Sequence, residues 1–447
     1  MRPSLALALA AATAACSPAG PSRGPSAEAS AAPPSPSPTA APVPDPPDAG
    51  AVDAGDPEPA YDLVLAHGRV LDPASGRDGV FDVGIAGGRI ARIAPSVDTS
   101  RARAVIDATG LLVAPGLVDL HVHVFSGPDK GTYLSRTALA VQADEVAPPS
   151  CTTTVVDAGS SGHRTFPVFE RETVARSKTR VLAFLNIVGE GMKGGRFEQD
   201  LGDMDARATA EAAKAHPDVV VGVKVAHYAD PGWEPVDRAV EAARLFGGRV
   251  MVDFGEHVPE LSLEDLLLRH LRPGDIFTHV YADVRGRTPV VDAAGKVRPY
   301  VREAQARGVF FDLGHGGASF VIRQAAPAIA QGFLPDTIST DVHRASLRGS
   351  MHDLVAVLSK LHALGMDWTD LIRRTTAAPA GVLGRPALGR LVEGGEADIA
   401  VLSVEHGRFS FADVSGAHVE SSERLACELT VRAGKVVWDA KGRAPER

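Results

Sequence analysis

The 447-residue chain is poor in cysteine and in aromatic side chains, with three of the former and 5% of the latter. Three cysteines, at positions 16, 151 and 427, cannot build a disulfide framework. There is no surplus of positive charge: 46 basic residues face 55 acidic ones, for a net charge of −9. Nucleic acids are bound through basic patches, so a DNA- or RNA-binding role is excluded. A membrane-spanning run is missing from the N-terminus as well. The apolar stretch Leu5–Ala15 is too short for a hydrocarbon core that needs about 20 helical residues. What remains is 45% hydrophobic and 23% charged, the composition of a globular protein.

Residues 1–15 carry one basic residue, Arg2, followed by that apolar stretch, which is the pattern of a secretory signal. It ends Thr13-Ala14-Ala15-Cys16, which resembles the bacterial lipoprotein processing box. The resemblance implies acylation of Cys16 and export to the cell envelope, with the N-terminal lipid as the contact with a membrane. Cleavage of a plain signal peptide near Ala15 is the other reading. Thirteen of the 33 prolines fall in residues 17–60, where there is no aromatic residue. Such a segment buries too little surface to fold, and its proline makes it extended, so residues 16–60 read as a tether.

From Tyr61 onward, short β-type runs appear at 62–65, 69–71, 82–85 and 89–93, with Gly87-Gly88 as a hairpin turn. Similar runs return at 397–404 and 428–438. Between them, apolar β-branched runs alternate with helical periodicity. Strands are expected at 117–123, 152–157, 181–185, 219–225, 249–253, 275–279, 308–312 and 337–341, with helices at 207–216, 236–246, 320–332 and 352–364. The expected fold is therefore α/β: a (β/α)8 TIM-type barrel over residues 114–387, with residues 61–113 and 388–440 forming a small composite β-sandwich beside it. A doubly wound sheet is disfavoured because no glycine-rich phosphate turn follows the first strand.

Barrel enzymes carry their chemistry at the C-terminal ends of the strands. The first strand ends Asp119-Leu120-His121-Val122-His123, and the two-residue period puts both imidazoles, with Asp119, on one face. Two nitrogen donors so placed can converge on one ion. Lys224 closes the otherwise apolar fourth strand, where a lysine must snorkel, pair or lose its charge. His279 closes the sixth strand. Asp341 closes the eighth, where it can bind metal, act as a general base or cap the next helix. Of the histidines on neighbouring loops, His163, His227, His315 and His343, the last two are noted as substrate-binding candidates. Cys151 reads as a small core residue and Cys427 as part of the terminal β-piece, neither with the histidine partner a thiol nucleophile requires.

The run Pro115–His123, together with Lys224, His279, Asp341 and the return Gly394–Val401, resembles the amidohydrolase superfamily. Segments 181–187, 271–275, 311–320 and 338–343 resemble its dihydroorotase-like amidohydrolase/deacetylase branch. By that resemblance, His121, His123 and Asp341 hold a first divalent ion, expected to be zinc, while His279 holds a second. Lys224, carboxylated by CO2, bridges the two. Asp341 also accepts the proton of a metal-activated hydroxide. One position departs: Asp253 stands where the family pattern has a histidine ending strand five, with His257 four residues on as the alternative ligand. The centre is then expected to hold one or two ions, the second more weakly than the first.

The function implied is a metal-dependent hydrolase acting on a non-peptide C–N bond, of the N-acyl deacetylase type, or on an ester carbonyl, with a small-molecule substrate. A cyclic-amide hydrolase of dihydroorotase type is the rival enzyme reading. A non-catalytic lipoprotein scaffold on the same barrel is the rival from another class.

Overall fold

The protein's computed structural model describes residues 61–445 except 256 and 285. The signal sequence, Cys16 and the tether lie outside the described residues.

A curled parallel sheet of seven strands forms the centre: Leu117–Val122, Thr152–Gly162, Arg180–Asn186, Val220–Val225, Arg249–Val252, Ile276–Phe277 and Phe310–Phe311, in sequence order. Every residue of Leu117–Val122, Thr152–Gly162 and Val220–Val225 is buried, as expected of parallel strands covered on both faces. Expected strand eight, 337–341, makes no strand. It contributes single parallel bridges instead, Thr337 to Asp312 on one side and Val342 to Val122 on the other. The irregularity is useful, because Asp341 has a left-handed backbone (φ 51°) that regular pairing would forbid.

The expected helices form at Ala206–Ala215, Glu234–Phe246, Ile322–Ala330 and Leu354–Ala363. Their ends follow local chemistry. The Asp205 carboxylate accepts from the backbone N–H of Arg207 and Ala208. Gly247, in the left-handed region, closes Glu234–Phe246. Among the described residues, no helix is long and apolar enough to cross a membrane.

The two β-rich ends meet in one continuous eight-stranded sheet rather than in separate sheets. Ile399–Ala412 joins Leu112–Pro115 antiparallel, and Leu112–Pro115 pairs parallel with Leu63–Asp72. Leu65, Val83, Ile85, Val113, Ile399 and Leu429 belong to its separate apolar core. The hairpin Ile399–Ala412/His418–Arg432 is much longer than the runs expected at 397–404 and 428–438. Its outer half mixes exposed charged residues with the half-buried Phe409, Phe411 and Val419.

Two devices fasten this sheet to the curled parallel sheet. Arg180, opening the third strand of the latter, pairs with Asp398 at 2.7 Å and with Glu396, and Arg432 grips the same two carboxylates. The second is a disulfide between Cys151 and Cys427, which corrects the reading of Cys151 as an isolated core thiol. The partners are 276 residues apart, so sequence spacing gave no sign of it. Because it closes so long a loop, reduction should cost about 2–4 kcal/mol of stability. Denaturant unfolding with and without a phosphine reductant measures this, and coincident curves would mean that the bond contributes nothing.

Candidate metal centre

At the C-terminal end of the parallel sheet, His121, His123 and Asp341 bring one donor atom each within 4.8 Å of the others. Asp341 Oδ1 lies 3.1 Å from His123 Nε2 and 3.5 Å from His121 Nε2. What these atoms can do depends on where the imidazole protons sit, and the buried partners decide that. His121 Nδ1 is 3.0 Å from Thr278 Oγ1. The single proton of the Thr278 hydroxyl is already given to the buried Asp312 carboxylate at 2.7 Å, so Thr278 accepts from Nδ1–H, leaving Nε2 as a lone pair. His123 Nδ1 is 3.0 Å from Ser160 Oγ, and the Ser160 backbone N–H is held by buried Asp157 at 2.7 Å. His279 Nδ1 faces a carbonyl, Gly314 O, at 2.5 Å, with the same consequence for its Nε2 as at His121.

Burial, with the nearby Lys224 charge second, pushes the His121 pKa down to about 3, so that ring is neutral near pH 7. Two imidazole Nε2 atoms and a carboxylate oxygen face one another. A divalent cation satisfies that arrangement, and nitrogen and oxygen donors of this kind suit zinc. The donor set therefore fits the ion implied by the sequence.

The first strand and segment 337–342 are locked together around the cluster. Asp341 N–H donates to His121 O at 2.7 Å, and His123 N–H donates to Val342 O at 3.0 Å. Asp119 does not join the donors, although it shares their face of the strand. Its carboxylate accepts from Thr340 N at 3.0 Å and Thr340 Oγ1 at 2.5 Å, so it braces the neighbour of Asp341. Burial raises its pKa to about 7. Burial also opposes charge on Asp341, but the facing imidazoles of His121 and His123 hold that carboxyl below the usual range. Gly316 lies against it, and a Cβ there would sit 2.7 Å from Asp341 Oδ2. The wall at this point has to be glycine.

Lys224 is 1% exposed, and its Nζ lies 3.1 Å from His121 Nε2. Burial lowers its pKa, against the pull of Asp253 and Asp341, which favours the neutral amine. Beyond it stands Asp253, with Oδ2 3.2 Å from His279 Nε2 and 3.9 Å from His227 Nε2. Its other oxygen lies 3.4 Å from Arg287 Nη1. The two histidines have left-handed backbones, with φ 58° at His227 and 59° at His279. Such strain costs about 1–3 kcal/mol per residue and clusters at functional sites.

Every metal-site residue expected from sequence is thus gathered in one place. A cavity of about 420 Å³ opens over it, lined by Tyr133, His227, Arg287, His343 and others. His343 lines this cavity, and His315 does not. The His315 ring is buried, with Nε2 2.8 Å from Lys360 Nζ and Nδ1 2.9 Å from Gly316 O, so it supports the glycine wall from behind. His257 packs on Phe254 outside the lining, which leaves Asp253 as the strand-five residue of the site. Sequence reading missed Arg287, and it missed Glu198, whose buried carboxylate lies 2.7 Å from His227 Nδ1 and raises that ring's pKa against burial. Nothing in the local pattern marks either residue.

No family profile matches the chain. A deacetylase of Agrobacterium fabrum is 31% identical over 336 residues, covering 74% of this chain and 79% of that protein. Among solved structures, an adenine deaminase (27% identity, TM-score 0.75) covers 85% of this chain and all of its own. A dihydroorotase (26% identity, TM-score 0.75) covers 84% of this chain and 99% of its own. The chain belongs to the amidohydrolase superfamily of metal-dependent hydrolases.

The proton arrangement around His121 generates a test. Thr278→Val removes the acceptor for Nδ1–H and should lower metal affinity about 10–100-fold with the fold retained. Competition with a chromogenic chelator reads this directly. Unchanged affinity would show that the hydroxyl does not set the ligand.

Proposed function

We propose that the protein hydrolyses the amide of an N-acyl small molecule, with an acyl ester as the related bond it also accepts. The observation that carries this reading is the inward-facing set of His121 Nε2, His123 Nε2 and Asp341 Oδ1, with Asp341 lining a cavity sized for a small ligand. The deacetylase relative, which spans most of both chains, supports the acyl-amide class. His121, His123 and Asp341 would hold a divalent ion, with zinc the natural choice for such donors. When bound, the ion supplies Lewis acidity, polarising the scissile carbonyl and acidifying water.

The chain's own residues do the rest. Asp341 takes the proton of the attacking water, and with Oδ2 against Gly316 it passes that proton to the departing nitrogen. The walls around His227 and His343 enclose the substrate. Lys224, neutral and buried, is in the form that takes up CO2, and we assign it a carbamate that adds an oxygen donor to the centre.

Two further elements belong to this reading. Segment 337–342 acts as the eighth strand and closes the curled sheet into a (β/α)8 ring, supported by its bridges to Asp312 and Val122 on either side. The protein works outside the cytoplasm, lipid-anchored through Cys16. The Cys151–Cys427 bond supports export, since such bonds persist in oxidising compartments.

The test is a hydrolysis screen of the metal-loaded full chain against N-acyl amino acids of both configurations, acyl esters and cyclic imides. We expect turnover of the acyl amides, and a drop of about 10²–10⁴-fold in Asp341→Asn with the fold intact. Hydrolysis confined to cyclic imides would select the dihydroorotase-type activity. No hydrolysis of any substrate, or near-normal rates in Asp341→Asn, would overturn the mechanism.

A further inference from the structure

The two halves of the centre differ in what surrounds their carboxylates. Asp341 meets imidazole nitrogens at 3.1 and 3.5 Å. Asp253 meets imidazole nitrogen too, His279 Nε2 at 3.2 Å, but its other oxygen also meets a guanidinium, Arg287 Nη1 at 3.4 Å. Arg287 is 6% exposed and is fixed at several points. Its Nη2 donates to Thr278 O at 2.7 Å and to His279 O at 2.8 Å, its Nη1 lies 3.4 Å from Asp253 Oδ1, and its carbon centre sits 4.8 Å from the Phe277 ring centroid. The side chain therefore cannot swing away without abandoning two buried carbonyls. It also keeps its charge. A guanidinium stays protonated over the whole working pH range.

We infer that Arg287 is a built-in cation that neutralises Asp253 and keeps the second metal position weak, so that each chain holds one ion tightly at His121, His123 and Asp341 and a second only loosely beside Asp253 and His279. The inference rests on the metal reading proposed above and goes beyond it. Asp253 Oδ2 and His279 Nε2, 3.2 Å apart, are competent donors. Any ion they take, however, shares its carboxylate with a guanidinium 3.4 Å away and sits near that fixed cation. In a buried site of low effective dielectric, both effects oppose a dication strongly. The carbamate assigned to Lys224 would then serve chiefly the tight ion. Arg287 is thus an affinity-determining residue for the second ion and not a ligand.

The experiment is to load the full-length protein with zinc, dialyse it against a weak chelator and count metal per chain by mass spectrometry, alongside calorimetric zinc titration. Wild type should retain one ion and show a second, weaker binding step. Arg287→Met should retain close to two, its second step tightening by about 10–100-fold while the first is unchanged. Arg287→Lys keeps a positive charge and should stay near one. Two tightly retained ions in wild type would overturn the inference, as would a folded Arg287→Met that still retains one. If Arg287→Met does not fold, the wild-type titration alone decides: two steps of comparable affinity contradict the proposal. A wild type that retains no ion at all would instead refute the metal reading on which the inference rests.

Discussion

The centre depends on where three protons are kept. Asp312, buried and hydrogen-bonded to Thr278, Thr337 and Ser339 at 2.7 Å each, consumes the Thr278 hydroxyl proton and thereby turns that oxygen into an acceptor for His121. Beside His123, Ser160 Oγ stands 3.0 Å from Nδ1, and buried Asp157 holds the Ser160 backbone N–H at 2.7 Å. A backbone carbonyl is the acceptor for His279. Each imidazole is consequently fixed with its proton on the outer nitrogen and its lone pair turned inward. A buried carboxylate without partners would be costly, and here Asp312 is spent on a hydroxyl that selects a tautomer.

The fold holds these shells in register by linking the two edges of the curled sheet. Asp119 on the first strand grips Thr340, and the backbone of His121 and His123 bonds that of Asp341 and Val342. Segment 337–342 is thereby held in the left-handed conformation that turns Asp341 toward the histidines. The positive φ values at His227, His279 and Asp341 all fall at the mouth of the sheet, where rigid strands on either side oppose relaxation. Behind them, Lys360 and His315 support the glycine wall of the cavity. The Cys151–Cys427 bond and the Arg180/Arg432 carboxylate cluster fasten the other end of the curled sheet to the terminal sheet.

Much of this was legible in the sequence, because strand periodicity and strand ends are local properties. His121, His123, Lys224, His279 and Asp341 were found by asking what stands at strand ends, and the helices expected at 207–216 and 236–246 from their periodicity form at 206–215 and 234–246. The same question would have found Asp157 and Asp312, which close the expected strands 152–157 and 308–312, had it been put to every strand. Other features left no local trace. Arg287 lies in a polar loop that resembles any solvated loop until the fold buries it. Glu198 reaches His227 across 29 residues, and Cys151 reaches Cys427 across 276. The outer half of the hairpin at 399–432 is rich in charged and polar residues, with its few apolar ones, Phe409, Phe411 and Val419, only half-buried.

The buried partners of the imidazoles hold a proton on Nδ1, so that Nε2 is the atom each ring offers to an ion. Nitrogen-15 NMR of histidine-labelled, metal-free protein reads imidazole tautomers directly. The account predicts the Nδ1–H form for His121, His123 and His279, and on zinc addition a shift of the Nε2 resonances of His121 and His123 with Nδ1 still protonated. Finding the Nε2–H form at His121 or His123 in the folded, metal-free protein would contradict it.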